Sequence, residues 1–243
     1  IPVRTELGRR VRKAFVAEQA PEWSLLAADY SQIELRILAH LSQDSGLREA
    51  FHSGQDIHAA TASLVYGVPA DEVVPDMRRI AKIMNFGVIY GLSAFGITQQ
   101  TGLAREEGAQ FIATYFGKYP GIKDYIDSIK GQVARDGYVE TILGRRRYIP
   151  EATSSNFHVR GAGERMAINM PIQGTAADII KIAMVRIQER LDALKLRSMM
   201  IIQVHDELIF EAPREELDDL TGIVKELMPS AMELAVPLDV ELK

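Results

Sequence analysis

The chain has 243 residues, of which 47% are hydrophobic and 25% charged, a balance typical of a globular protein with one large domain or two subdomains. We expect no membrane span and no signal peptide, because apolar runs are short and none follows the first charged residues. The absence of cysteine excludes disulfides and thiolate metal sites. Residues 213–243 alone carry the net charge of −5, whereas basic clusters occur at 9–13, 78–79 and 145–147. Each cluster alone is more typical of a solvated surface than of a phosphate site.

The order of the predicted elements indicates an α+β fold. Segments with strand periodicity are 24–29, 138–143, 199–204, 208–211 and 237–242. A segment with helical periodicity begins at about Gln32. Further helical segments are predicted over 56–66, 75–90, 105–116, 122–135, 160–169 and 175–194. Most helices are grouped between about 45 and 195 instead of alternating regularly with strands, which argues against repeated βαβ units.

Carboxylates stand at the ends of two predicted strands. Asp29 ends the first strand, and Asp206 lies at the tip of the hairpin with Glu207 beside it. A carboxylate at such a position is costly unless it is paired or bound to a metal. Two carboxylates from separate strands can hold two Mg²⁺ ions for phosphoryl transfer. Alternatively, Asp29 caps the following helix and Asp206 forms the turn; for each residue alone, both interpretations stay open.

Four residues at four-residue spacing mark one face of the helix predicted over 75–90. Arg78, Lys82, Phe86 and Tyr90 lie along about 18 Å of this face. Phosphates are favoured near the positive N-terminal end, and a sugar or base can lie along the aromatic end. The pattern therefore suits an extended nucleoside triphosphate. Periodicity alone favours the alternative that the aromatic end packs in the core and the basic end is solvated.

Three segments together resemble the motifs of the family A DNA polymerases, of the bacterial polymerase I type. Residues 29–36 (DYSQIELR) are similar to motif A, residues 78–91 (RRIAKIMNFGVIYG) to motif B and residues 203–207 (QVHDE) to motif C. Residues 144–148 and 169–178 also resemble the family, and the resemblance extends from the first residue to the last.

The resemblance implies a right-hand polymerase architecture reduced to a small antiparallel palm sheet and a helical fingers subdomain. We expect residues 1–44 and 156–243 to form the palm and residues 45–155 to form the fingers. A thumb, nuclease domains and a short C-terminal tail would lie outside this chain. We therefore expect a fragment that keeps the chemistry but holds DNA weakly.

The resemblance also assigns roles to single residues. Metal ligands would be Asp29, Asp206 and the Tyr30 carbonyl, with Glu207 in a supporting catalytic role. Lys82 would act in both catalysis and nucleotide binding. The other nucleotide-binding residues would be Arg78, Phe86 at the sugar, Tyr90 at the nascent pair, Glu34 as the gate against a 2′-OH, His58 and Gln32. Residues facing the primer–template would be Arg165, Asn169, Gln173, Gln203 and His205. Without the resemblance, the preferred interpretation of His58 is a structural histidine within a helix, with its hydrogen bonds satisfied, and not a nucleotide-binding residue.

The function so implied is template-directed DNA synthesis with two Mg²⁺ ions, for which Mn²⁺ could substitute. The partners would be primer–template DNA and deoxynucleoside triphosphates, and we expect a monomer in the bacterial cytoplasm, at the nucleoid and without membrane contact. Two alternatives stay open: a non-catalytic nucleic-acid-binding module and a two-metal nuclease. The paired carboxylates argue against the first, and the helix stripe, which suits a triphosphate, argues against the second.

Overall fold

A computed structural model describes residues 5–91 and 94–243. Its strands are β1 (Trp23–Tyr30), β2 (Tyr138–Glu140), β3 (Arg146–Tyr148), β4 (Met199–Val204), β5 (Glu207–Pro213) and β6 (Val240–Leu242). Its helices are α1 (Glu6–Arg12), α2 (Ile33–Ser42), α3 (Ser45–His52), α4 (Ile57–Tyr66), α5 (Pro75–Ile89), α6 (Ala94–Thr101), α7 (Arg105–Lys118), α8 (Pro120–Asp136), α9 (Phe157–Leu194) and α10 (Leu217–Leu227). Mixed helices with small antiparallel sheets confirm the predicted α+β class. Within the described ranges, no helix has both the length and the apolar character that a membrane crossing requires.

The chain forms two compact units. The sheet unit contains the chain up to Ser31 together with residues 179–232 and 238–243, and the helical unit contains residues 32–178 and 233–237. These boundaries are not those of the predicted palm and fingers, and the assignment of those two names stays a prediction.

The sheet unit is built on four antiparallel strands in the order β4-β5-β1-β6. Alternate residues of β1 and β5 form one buried face, in which Leu26 pairs with Phe210 and Ala28 with Leu208. Helix α10 contacts β5, and the hydroxyl of Tyr30 donates a hydrogen bond of 2.7 Å to the Met228 carbonyl just after α10. The opposite face of the sheet is more exposed, and it is this face that carries Asp29, because side chains alternate along a strand.

The helical unit buries its core between α4, α5, α7 and α8, where α4 packs on both α5 and α7. Tyr115, Tyr119 and Ile122 are fully buried there. Strands β2 and β3 form a separate hairpin in which Tyr138 pairs with Tyr148. The predicted strand over 138–143 is too long, because the chain turns after Glu140, where the Gly144 N–H donates to the Thr141 carbonyl at 2.9 Å.

The prediction of two helices over 160–169 and 175–194 is wrong, because α9 is continuous and contains Pro171. A proline inside a helix removes one hydrogen bond and costs about 3 kcal/mol. The residues around it are among the most buried in the chain, with Ala167, Ile168 and Ile172 at most 3% exposed. Burial of apolar side chains, at about 1.5–3 kcal/mol for a large one, outweighs the local penalty.

Candidate functional site

The carboxylates predicted from the sequence meet at one end of the four-stranded sheet. Asp29 on β1 lies opposite Glu207 on β5 and also opposite Glu241 on β6. Asp206 immediately precedes β5, and its carbonyl accepts a hydrogen bond of 3.2 Å from the Tyr30 N–H. The strand register therefore places several acidic side chains side by side, although like charges directly opposite each other destabilise a sheet.

This acidic cluster changes the ionisation of Asp29. Burial is the largest cause that raises the pKa of the Asp29 carboxyl, and the charges of Asp206, Glu207 and Glu241 raise the pKa further, whereas Lys243 lowers it. A bound cation would relieve this repulsion. The available donors are carboxylate and carbonyl oxygens, the ligands that Mg²⁺ prefers, and Mg²⁺ commonly takes one or two carboxylates and completes its shell with water and substrate phosphates. Among residues 5–91 and 94–243, no three His, Cys, Asp or Glu side chains converge into a site that could hold a metal by themselves.

The alternative roles of the two aspartates have different outcomes. The residue that caps α2 is Gln32, in the left-handed conformation and without a side-chain capping bond, so Asp29 does not cap that helix. Asp206 does lie in the turn between β4 and β5, as the alternative held. A turn position does not prevent metal binding. Tyr30 is 2% exposed, and its side chain belongs to the core.

The hairpin tip presents two of the residues predicted to face DNA. His205 has φ of +56°, which is uncommon for a residue other than glycine. The Gln203 side chain supports this conformation by donating a hydrogen bond of 2.8 Å from Nε2 to the His205 carbonyl. Both side chains are exposed. The strained tip thus carries Gln203, His205 and Asp206 within four residues.

Three residues of the stripe, Arg78, Lys82 and Phe86, lie on the outward face of α5 in the helical unit, and Tyr90 directly follows that helix. Arg78 and Lys82 are exposed, Phe86 is half-buried and Tyr90 is 42% exposed, while the opposite face of the helix lies in the core. The Tyr90 hydroxyl donates a hydrogen bond of 3.0 Å to Glu34 Oε2. The structure therefore brings together Glu34 and Tyr90, two residues to which the resemblance gave separate roles.

His58 belongs to a buried polar network behind the stripe. Its Nδ1 lies 3.1 Å from Asn85 Nδ2, Asn85 Nδ2 lies 3.1 Å from Thr61 Oγ1, and Thr61 Oγ1 lies 3.1 Å from the Tyr119 hydroxyl. The His58 and Phe86 rings are 5.7 Å apart. His58 thus has the hydrogen-bond partner that a structural histidine requires. An amide NH₂ only donates, so Nδ1 accepts and the ring proton lies on Nε2.

The charge state of His58 follows from its surroundings. Burial, above all, lowers the pKa of His58 to about 4; Asp56 raises this pKa, and Lys82 and Arg78 lower it further. The imidazole is therefore neutral at physiological pH. A neutral ring with its proton on Nε2 can donate a hydrogen bond to an anion while adding no charge.

Three predicted DNA-binding residues follow each other at four-residue spacing on α9. Arg165, Asn169 and Gln173 therefore lie on one face of the helix, and Arg165 and Gln173 are exposed. The Arg165 side chain lies across Gly91. A Cβ atom added at Gly91 would be only 2.7 Å from Arg165 Cγ, and Gly91 has a φ of +64°. In the described part of the chain, Asn169 Oδ1 is buried without a hydrogen-bond partner.

Asp56 is a residue that sequence reasoning missed. Its position before the apolar periodicity of α4 is typical of a helix cap, and its Oδ1 accepts from the N–H groups of His58 and Ala59 at 2.9 and 3.0 Å. Its Oδ2 also accepts two bonds from Arg78, at 2.9 and 2.7 Å. Nothing in the sequence signals this second contact, because it joins residues 22 positions apart.

Comparison with known proteins identifies the family. The model of DNA polymerase family A matches residues 1–243. The chain belongs to DNA polymerase family A. This confirms the resemblance carried by the three motifs.

Relatives in this family are similar over the whole chain. The chain is 51% identical over 241 residues to DNA polymerase I of Bacillus caldotenax, an alignment that covers 99% of this chain and 27% of that protein. It is 50% identical over 242 residues to the thermostable DNA polymerase I of Thermus aquaticus, covering 100% of this chain and 29% of that protein. The chain therefore spans less than a third of these curated relatives.

A solved structure shares the fold. It is the POL domain of Pol1 from M. smegmatis, in complex with DNA primer-template and dNTP. The TM-score is 0.95 at 49% identity, and the match covers 100% of this chain and 42% of that one.

Proposed function

We propose that the chain is the catalytic core of a template-directed DNA polymerase. The observation that carries the proposal is the cluster of Asp29, Asp206 and Glu207 at the end of the sheet, where a phosphate-binding cation would relieve the repulsion on Asp29. Relatives named DNA polymerase I and the family A match support it. So does the structural neighbour, which was solved with DNA primer-template and dNTP.

In the proposed reaction, the primer 3′-hydroxyl gives up its proton to water, and its oxygen forms a bond to the α-phosphorus of a deoxynucleoside triphosphate. The bond from that phosphorus to the bridging oxygen breaks, and pyrophosphate leaves. Asp29, Asp206 and the Tyr30 carbonyl would hold two Mg²⁺ ions, with Mn²⁺ as a substitute, and Glu207 would add negative charge beside them. When bound, such ions lower the pKa of the attacking hydroxyl and stabilise the charge on the phosphates.

The α5 stripe would bind the incoming nucleotide. Arg78 and Lys82 would pair with the triphosphate, and Lys82 would stabilise charge on the leaving pyrophosphate. The Nε2–H of neutral His58 would donate to a phosphate oxygen if the pocket opens, with Gln32 close by. Phe86 would pack on the sugar.

Glu34 and Tyr90 would define the shape of the nucleotide pocket. Their hydrogen bond of 3.0 Å holds the Glu34 carboxylate in place. A carboxylate so fixed would occupy the space of a ribose 2′-OH, and Tyr90 would lie beside the nascent base pair. Deoxynucleotides would be selected by exclusion of the larger sugar.

The DNA would contact α9 and the hairpin tip. Arg165, Asn169 and Gln173 share one face of α9, and Gln203 and His205 lie at the tip. Minor-groove acceptors are nearly the same for every base pair, so polar side chains there can test pair geometry without reading sequence. Pairing with the template would choose the base.

Primer extension separates this function from the two alternatives. The chain is mixed in excess with a labelled primer–template, Mg²⁺ and single deoxynucleoside triphosphates. A polymerase adds the nucleotide complementary to the template base, a nuclease shortens the primer, and a binding module retards the DNA without changing it. Shortening, or retardation without extension, would reject the proposal.

A further inference from the structure

The Asp56 carboxylate uses its two oxygens for different partners. Oδ1 caps α4 through two backbone N–H groups, and Oδ2 accepts from both Nε and Nη2 of Arg78 at 2.9 and 2.7 Å. The two side chains are 41% and 45% exposed. The contact therefore lies at the surface, where a dissolved anion can compete for it.

Asp56 occupies the part of Arg78 that recognises phosphate. The Nε and Nη2 groups form one of the two-donor edges with which a guanidinium binds carboxylate or phosphate. Partial burial raises the pKa of Asp56, but the bonds from Arg78 and from the Ala59 and His58 N–H groups lower it more, so the net change is downward. Asp56 is thus fully charged at neutral pH. A phosphate that uses the same edge of Arg78 must displace it.

We propose that Asp56 is an internal competitor that holds Arg78 when no nucleotide is bound and is displaced by the triphosphate. The inference rests on the proposed function, because it requires Arg78 to bind phosphate. If Asp56 competes in this way, it lowers the affinity of the chain for the triphosphate and favours release of the pyrophosphate product. Asp56 is therefore a positioning residue that acts through Arg78.

Asp56→Asn separates the two roles of the carboxylate. Asparagine caps helices as well as aspartate does, so Oδ1 can keep its bonds to α4, while the NH₂ group replaces the acceptor that holds Arg78. The matched control is Asp76→Asn. Asp76 pairs with Arg79 at 2.7 Å on the same helix, so this variant makes the same change in net charge two positions from Arg78 without releasing it.

The test measures binding of inorganic tripolyphosphate to the 243-residue chain by calorimetry, without divalent metal. We expect Asp56→Asn to bind roughly three- to ten-fold more tightly than the original chain, the range for an exposed pair with charged hydrogen bonds. Asp76→Asn should change Kd by less than about two-fold. Equal affinity in Asp56→Asn would overturn the proposal, and weaker binding would show that Asp56 orients Arg78 for phosphate instead of competing with it.

Arg78→Gln, alone and combined with Asp56→Asn, distinguishes failure of the inference from failure of the proposed role of Arg78. If Arg78 binds phosphate, Arg78→Gln weakens binding, and the gain from Asp56→Asn disappears in the double variant. If Arg78→Gln leaves binding unchanged, the proposed role of Arg78 is rejected and the inference with it. If Arg78→Gln weakens binding but Asp56→Asn gives no gain, only the inference is rejected. Thermal unfolding of each variant confirms that differences in affinity do not arise from misfolding.

Discussion

Replacing Asp29 by asparagine should stabilise the metal-free protein and, if the proposed function holds, remove a metal ligand. Asp29 faces Glu207 and Glu241 across the strands and also repels Asp206, whereas Lys243 attracts it. Unit charges about 6 Å apart interact by about 0.7 kcal/mol in water and about 1.4 kcal/mol at an effective dielectric constant of about 40. Three repulsions offset by one attraction leave a net gain of about 1–2 kcal/mol after screening by salt.

Thermal unfolding in EDTA and in Mg²⁺ measures both effects. For a chain of this size, the expected gain raises the Tm of Asp29→Asn by about 2–8 °C in EDTA. Added Mg²⁺ should raise the Tm of the original chain, because a ligand that binds the folded state stabilises it, but not that of Asp29→Asn.

Glu241→Gln is the matched control. It removes one of the charges opposite Asp29 but keeps all the predicted ligands, and its exposed contact with Lys243 is long, at 3.8 Å. We expect a gain of about 0.5 kcal/mol or less and a full response to Mg²⁺. A lower Tm for Asp29→Asn in EDTA would refute the reasoning, because it would mean that Asp29 has a favourable structural partner.

Three further predictions concern packing, ionisation and sugar selection. Gly163→Ala pushes a methyl group into the backbone of Ala152 and should lower the free energy of unfolding in urea by about 1–3 kcal/mol. The control Gly131→Ala, whose added methyl group has no neighbour within 4 Å, should raise it by about 0.5–1 kcal/mol. Equal effects of the two substitutions would show that α9 can shift. Burial lowers the pKa of His58 to about 4, so its contribution to stability is present above a pH of about 6.5 and should be lost as the pH falls towards 4. His58→Gln should therefore remove about 1–2 kcal/mol of the acid destabilisation over that window. Parallel profiles of unfolding free energy against pH for the two proteins would contradict this. Glu34→Ala should admit ribonucleotides in primer extension, and an unchanged preference for deoxynucleotides would reject the gate.

Local patterns predicted those parts of the fold whose signals lie within a few residues of each other. The strand that carries Asp29, the helix α5 and the hairpin around Asp206 all follow from short-range periodicity and turn chemistry. The exposure of Tyr90 does not, because periodicity alone favoured packing of the aromatic end of the stripe in the core. The continuity of α9 did not, because the penalty at Pro171 is local while the burial that outweighs it comes from residues far along the chain. Single-sequence reasoning assigns the penalty and misses the compensation.

The same limit applies to the candidate site. The motif resemblance supplied the residues expected to bind metal and nucleotide, but not the contacts that set their charge and position. Glu241 reaches Asp29 only through the register of β6 on β1, and Asp56 reaches Arg78 only because α4 packs on α5. The hydrogen bond between the His58 and Asn85 side chains likewise depends on the packing of α4 on α5. Such contacts are set by tertiary structure, and no regular spacing of the residues in the sequence predicts them.

The most direct test of the central claim is single-turnover addition of one complementary deoxynucleotide to a primer–template in Mg²⁺, with the chain in excess. We compare the original chain with Asp206→Asn, which loses a proposed metal ligand, and with Glu241→Gln, which removes a neighbouring charge only. The account predicts template-directed addition by the original chain and by Glu241→Gln, and a loss of about 10²- to 10³-fold in Asp206→Asn, the scale expected when one electrostatic contributor is removed. Addition by Asp206→Asn at the original rate, or addition that ignores the template base, would contradict it.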